Sequence, residues 1–135
     1  MVIPVALFAL GMCSVVFNAK AATLSNGQQI SGSYMFIKSL GFQGIQGGQF
    51  NGPNSIAIDR SGNIYVLDSG NSRIQQFNDG DNFIKKWGEM GSGKSQFRGP
   101  TGIAVDPTGN VYVLDSGNHR IQKFDSTNNF TFITS

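Results

Sequence analysis

An all-β fold built from repeated four-stranded sheets is predicted by three observations. The chain matches itself at a shift of 47 residues, each copy divides into four short apolar runs separated by turn residues, and no helical periodicity appears after residue 22. FNGPNSIAIDRSGNIYVLDSGNSRIQQF (Phe50–Phe77) lies on FRGPTGIAVDPTGNVYVLDSGNHRIQKF (Phe97–Phe124), with nineteen of 28 positions identical. Ile58/Val105, Ile64/Val111 and Ser61/Thr108 are conservative differences. A period in the forties lies in the range of stacked or radial repeat architectures and outside that of coiled coils.

The elements follow in order. Val2–Phe17 is an apolar run broken only by Pro4, Gly11 and Ser14, short of the roughly 20 residues of a membrane-spanning helix. Ala19-Lys20-Ala21 follows as a small-x-small cleavage pattern, so residues 1–21 read as a secretory signal peptide cut after Ala21. An uncleaved anchor and a hydrophobic core segment are the competing readings, since no Lys or Arg precedes the run. Cys13 leaves with the signal, and the bulky Met12 before it argues against lipoprotein processing. Residues 22–49 read as the end of a preceding partial blade and a linker. Phe36, Ile37, Lys38 and Gly41 map onto Phe83, Ile84, Lys85 and Gly88, which makes Met35–Leu40 a last strand.

Residues 50–87 form the first complete unit, with strands expected at Ser55–Asp59, Ile64–Asp68, Arg73–Asn78 and Phe83–Trp87. Residues 88–96 are a Gly-rich connecting loop. Residues 97–135 repeat the plan at Gly102–Asp106, Val111–Asp115, Arg120–Asp125 and Phe130–Thr134. Pro107-Thr108-Gly109-Asn110 and Ser116-Gly117-Asn118 supply turn chemistry. The first two strands of each unit are apolar on both faces and so require cover on both. Small antiparallel sheets packed face to face around an axis provide it, and each unit therefore reads as a propeller blade. Phe50, Phe77, Phe83, Phe97, Phe124 and Phe130 recur at the period and are assigned to the core.

The segments G-P-x-G-I-A-V-D and G-N-V-Y-V-x-D-S-G-N-H-R-I-Q-K-F strongly resemble the NHL repeat, whose Asn-His-Leu signature stands here as Asn118-His119-Arg120-Ile121 and Asn71-Ser72-Arg73-Ile74. The resemblance spans about residues 36 to 135. It implies a β-propeller, six-bladed when complete. The 114 residues after Ala21 make about 2.4 units of 47, against roughly four to eight blades for closure. A truncated product, a partial reading frame or self-association is therefore expected, with apolar blade faces left wet in a monomer. The resemblance also implies that turns between second and third strands share a face with the connections into the next blade. That face would carry Ser69–Ser72, Ser116–His119, Gly41–Gly52 and Gly88–Gly99.

Composition narrows function. A net charge of +2 is too small for a dominant phosphate-neutralising surface, which excludes DNA and disfavours RNA. One Cys and one His exclude an intramolecular disulfide, a multi-Cys zinc site and a multi-His metal centre. Asp68 with Arg73, and Asp115 with Arg120, recur five residues apart across a turn and are assigned as structural ion pairs. Asn71 and Asn118 are expected to hold their turns by adopting left-handed geometry. Asn71, Ser72, Lys94, Arg98, Asn118 and His119 are the candidate binding residues of the loop face. His119 is the residue type that titrates near neutral pH.

Gly88–Ser95 satisfies G-x-x-x-x-G-K-[ST], yet Gln96-Phe97-Arg98-Gly99-Pro100 and a strand follow where phosphate binding needs a helix. Asp79-Gly80-Asp81-Asn82 fails the calcium-loop spacing, with Ile84 at the glycine position. Asn129-Phe130-Thr131 is a glycosylation sequon. No catalytic residue, metal ligand or cofactor is assigned. The reading is an exported, non-catalytic scaffold whose loops bind a protein, peptide or glycan. The resemblance leaves two others open: part of a propeller lyase or hydrolase with metal ligands in further blades, and an RNA-binding module.

Overall fold

The computed structural model describes residues 36–125 and 131–134. The chain separates into two compact units, Met1–Ser39 and Leu40–Ser135, and every strand among the described residues belongs to the second. The first sheet is formed by β3 (Pro53–Ile58), β4 (Ile64–Asp68), β5 (Arg73–Phe77) and β6 (Phe83–Trp87). The second is formed by β9 (Gly102–Val105), β10 (Val111–Asp115), β11 (Arg120–Asp125) and β12 (Thr131–Thr134). Each is an antiparallel meander in sequence order. The chain is mostly β, in four-stranded antiparallel blades.

Two short parallel pairings, absent from the sequence reading, precede the blades. β1 (Phe42–Gln43) runs alongside β2 (Gln49–Phe50), and β7 (Glu89–Met90) alongside β8 (Gln96–Phe97). In each the chain curls back on itself within a single Gly-rich loop. Strand ends differ from expectation at Asp59 and Asp106, whose backbone N–H groups instead donate to Asn63 and Asn110 across the turns. Asn78 likewise leaves β5 for a turn with Asn82. The sequence expects a strand at Met35–Leu40; residues 36–40 form none. Residue 35, Phe130, the sequon and the whole of 1–21 with Cys13 lie outside the described residues.

Side-chain alternation along β4 splits the core in two. Tyr65 and Leu67, with Ile74 of β5, pack against Phe97, Val111, Val113 and Phe124 of the second blade, joined by Trp87, Ile103 and Val105. Val66 and Ile64 point the other way, onto Phe50, Phe77 and Leu40. The first cluster is thus the seam between blades. Its rings meet edge-on or tilted, Trp87–Phe124 at 6.1 Å and Phe97–Phe124 at 6.0 Å, arrangements that suit aromatic quadrupoles. Polar contacts close the same seam: Asn54 Nδ2 and Ser69 Oγ donate to Pro100 O at 3.1 and 2.7 Å.

Cover on both faces of every strand is not achieved. Ile56 and Ile58 of β3 are exposed, as are Leu114 of β10 and Ile121 of β11. Each lies on the face of its blade turned away from the seam, where no further sheet packs among the described residues. Phe83 also departs from its core assignment. It sits on β6, the outermost strand of its sheet, and rests edge-on against Phe77 at 5.9 Å while remaining exposed.

Candidate functional site

The loops of interest are organised by one construction made twice. Asp68 and Arg73 are direct cross-strand partners on the last rung between β4 and β5, as are Asp115 and Arg120 between β10 and β11. Ser69–Asn71 and Ser116–Asn118 form single 3₁₀ turns between them. Each turn is closed by a residue in the left-handed region, Ser72 at φ 51° and His119 at φ 54°. This corrects the role expected of the asparagines. The left-handed residue is the one after Asn, at the signature His position, and the asparagines act through their side chains. Asn71 Nδ2 donates to Asp68 Oδ2 at 2.8 Å and to Gly44 O at 3.0 Å; Asn118 Nδ2 donates to Asp115 Oδ2 at 2.9 Å and to Gly91 O at 2.8 Å.

The buried carboxylates are the hubs. Asp68 accepts from the Asn51 amide at 2.7 Å, from Arg73 Nε at 2.7 Å and from Gln75 Nε2 at 3.1 Å. Asp115 accepts from the Arg98 amide at 2.8 Å, Arg120 Nε at 2.9 Å and Gln122 Nε2 at 3.2 Å. Burial alone would raise the Asp115 pKa, but these donors outweigh it and hold the carboxyl below its ordinary value. The remaining guanidinium donors reach the preceding loop: Arg73 to the carbonyls of Ile45, Gln46 and Gln49, and Arg120 to those of Gly93 and Gln96. Gln75 and Gln122, unassigned by the sequence reading, complete the clamp. Gln122 Nε2 donates to Gln96 O at 2.7 Å while its Oε1 accepts from the Ser95 amide at 3.0 Å, and Gln75 does the same with Gln49 O and the Gly48 amide. Their signal was present: both glutamines are invariant between copies at apolar-facing positions, where a polar residue needs a partner.

The glycine of each Ser-Gly-Asn turn is fixed by close approach. Gly70 and Gly117 donate to Asn51 O and Arg98 O, both at 2.8 Å. A Cβ at either glycine would lie within 2.5 Å of that same carbonyl oxygen.

This geometry disposes of the phosphate-loop resemblance. The Gly91 amide donates to Phe97 O, Gly93 to Gln96 Oε1 and Ser95 to Gln122 Oε1. Three of the amides that would cradle a phosphate are thus already engaged, and the chain continues into β8 and β9.

At the opposite end of each blade stands a second repeated group. Asp59 Oδ1 accepts from the amides of Ser61 and Asn63, and its Oδ2 from Asn63 Nδ2 and the Tyr65 hydroxyl. Asp106 holds Thr108, Asn110 and Tyr112 alike. Burial opposes ionisation of Asp59, but its four donors keep the carboxyl below the ordinary range. Burial, then the Asp59 charge, pushes the Tyr65 hydroxyl up. Gln76 Nε2 donates to the Tyr65 hydroxyl at 3.2 Å. In the second copy Lys123 takes that position over Tyr112, 5.2 Å from the ring centroid. Its ammonium is held above the usual lysine value first by the hydrogen bond to Tyr112 and further by the charges of Asp106 and Asp125. Both groups tie a turn together through the oxygens of Asp59 and Asp106, whereas Gln76 Oε1 is buried without a hydrogen-bond partner.

Of the six candidate loop residues, Ser72 is buried, and Asn71 and Asn118 are half-buried with their amides engaged in the clamp. The same left-handed backbone leaves His119 exposed; at Ser72 the connection into the second blade lies close, and a Cβ at Gly88 would fall 3.0 Å from Ser72 O. Lys94, Arg98 and His119 are exposed. Among the described residues no group of three or more His, Cys, Asp and Glu side chains could hold a metal ion.

Two four-stranded meanders sharing an apolar seam, each with a clamped connecting loop, are blades of the propeller class. The NHL-repeat family model matches residues 50–77 and 97–124, and the chain carries two NHL repeats. Repeats of this family suggest a propeller-type protein-interaction module. A search of curated proteins returns no significant match.

Proposed function

We propose that the chain is an exported, non-catalytic binding scaffold that presents Lys94, Arg98 and His119 to acidic groups on a protein, peptide or glycan. The observation that carries this reading is the clamp. Asp115, Asn118, Arg120 and Gln122 immobilise the loop 91–98 and the turn 116–119 side by side, yet leave these three basic side chains exposed. Loops held rigid before binding lose less entropy on association. The first copy has Gly47, Asn51 and Ser72 at the same positions, so the basic cluster belongs to the second blade. Export rests on the apolar run Val2–Phe17 and the Ala19-Lys20-Ala21 pattern.

The test is binding to arrays of acidic peptides and anionic glycans at low and high salt. It compares the native chain with a triple variant Lys94→Ala, Arg98→Ala, His119→Gly, glycine being chosen because it suits the left-handed position. At least a tenfold, salt-sensitive loss is expected while circular dichroism is unchanged. Equal binding by both proteins sinks the reading.

A further inference from the structure

The 47-residue repeat means that the seam between the blades has two halves, and that each half exists a second time, exposed. On its seam side the first blade contributes Leu67 and Ile74, both 0% exposed. The equivalent residues of the second blade are Leu114 and Ile121, which are 45% and 55% exposed. They line a shallow hollow of about 270 Å³ with Gly102, Ala104 and Tyr112. On its seam side the second blade contributes Ile103 and Val105, in register with Val113 and Val111. The equivalents in the first blade are Ile56 and Ile58, in register with Val66 and Ile64 and exposed at 60% and 61%. The two exposed faces therefore already fit one another, since near-identical sequences form the closed seam between the two blades.

We propose that a second copy of this chain docks head-to-tail, the Leu114–Ile121 face of one copy covering the Ile56–Ile58 face of the next. The contact is the seam repeated between chains. It takes the apolar side chains out of water and sets Ser116 Oγ, the equivalent of Ser69 and hydrogen-bonded within its own blade to Thr101 Oγ1, opposite Pro53 O of the neighbour as Ser69 stands opposite Pro100 O. The surface is suited to this occupant above an unrelated protein because every apolar residue in it has a counterpart already packed by this same sequence. The contact joins two different faces, so it is heterologous and closes into a ring when the rotation permits. Each copy adds two blades, and propellers of roughly four to eight blades correspond to about two to four copies.

The experiment is sedimentation equilibrium of the full chain together with two double variants, Ile56→Lys/Ile58→Lys and Leu114→Lys/Ile121→Lys. The substituted residues are exposed within one copy, so each variant is expected to keep its β circular dichroism. The native chain is expected as one discrete species of about two to four copies, and each variant alone as a monomer. An equimolar mixture of the two variants is expected to form a 1:1 dimer and stop there, since it holds one intact pair of faces. A native chain that remains monomeric at about 100 µM overturns the proposal and assigns the faces to other repeats. Association that neither variant weakens also overturns it, because the contact would then lie elsewhere, for example in the apolar N-terminal run. Failure of the mixture to dimerise overturns the head-to-tail geometry.

Discussion

At the scale of single residues the decisive group is the aspartate at the end of the second strand of each blade. Asp115 is buried, yet it accepts hydrogen bonds from an amide, an asparagine, an arginine and a glutamine. Removing one member of such a set strands the others without a counter-charge. Asp115→Ala is therefore expected to lower unfolding free energy by about 3–5 kcal/mol near neutral pH, measured by urea denaturation. The same carboxylate has a pH signature. Its folded-state pKa lies below the unencumbered value of 3.8, so as pH falls the unfolded chain takes up the proton first. The stability it supplies is complete above 3.8 and is lost as pH drops below that value through the folded pKa. Thermal midpoints followed into this acid range should fall less steeply for Asp115→Ala than for the native chain; parallel curves would show that the carboxylate is not held low. The Asp–Arg pairing was legible in the sequence from its five-residue spacing in both copies. The left-handed backbone at Ser72 and His119 was not, because serine does not announce positive φ and the asparagine before each position favours it at least as much as histidine does; the turn enforces it through the hydrogen bonds from Ser72 N to Ser69 O and from His119 N to Ser116 O.

At the scale of elements, the Gly-rich loops are the instructive case. As a string, Gly88–Ser95 satisfies a phosphate-binding pattern; as an element it curls so that β7 and β8 pair in parallel, its amides turned inward. The pattern specifies residue types, whereas binding needs free N–H groups aimed outward, and only contacts with Gln122, Arg120 and Asn118 decide where these groups point. Gln122→Leu would leave the Ser95 amide without its partner and remove one of the two donors to the Gln96 carbonyl, Arg120 being the other. A loss of about 1–3 kcal/mol is expected, with hydrogen exchange at Ser95 accelerated more than at β10 amides. Unchanged exchange at Ser95 would mean that the clamp does not hold the loop. The strands themselves were readable to within two residues at almost every end, since apolar runs bounded by Asp, Gly and Asn leave little freedom. Residues 36–40 resemble a last strand in composition and form none, because composition states a preference that packing and pairing override.

At the scale of the two blades, the apolar seam is shared, so neither blade owns its core. Leu67 lies in one and Val113 in the other, both fully buried in the same cluster. Leu67→Ala and Val113→Ala are each expected to lower a single cooperative unfolding midpoint, Leu67→Ala by about 2–5 kcal/mol. A biphasic melt in which each substitution moves only its own phase would show two independently folded blades. The exposed Ile56, Ile58, Leu114 and Ile121 belong to this scale too, since nothing about an isoleucine in a strand says which of two faces meets a neighbour.

The sequence alone determined the repeat, the four-strand plan of each blade, the family of the repeats and the recurring Asp–Arg pairs. These are properties of local pattern and of identity at a fixed spacing, and both are written along the chain. Only the tertiary structure decided which candidate loop residues are exposed, how the glutamines and asparagines fasten each loop to its blade, and which strand faces are covered. Those outcomes depend on contacts between residues some 24 to 48 positions apart. Burial is a relation between surfaces, and a linear pattern shows that a face is apolar without showing what lies against it.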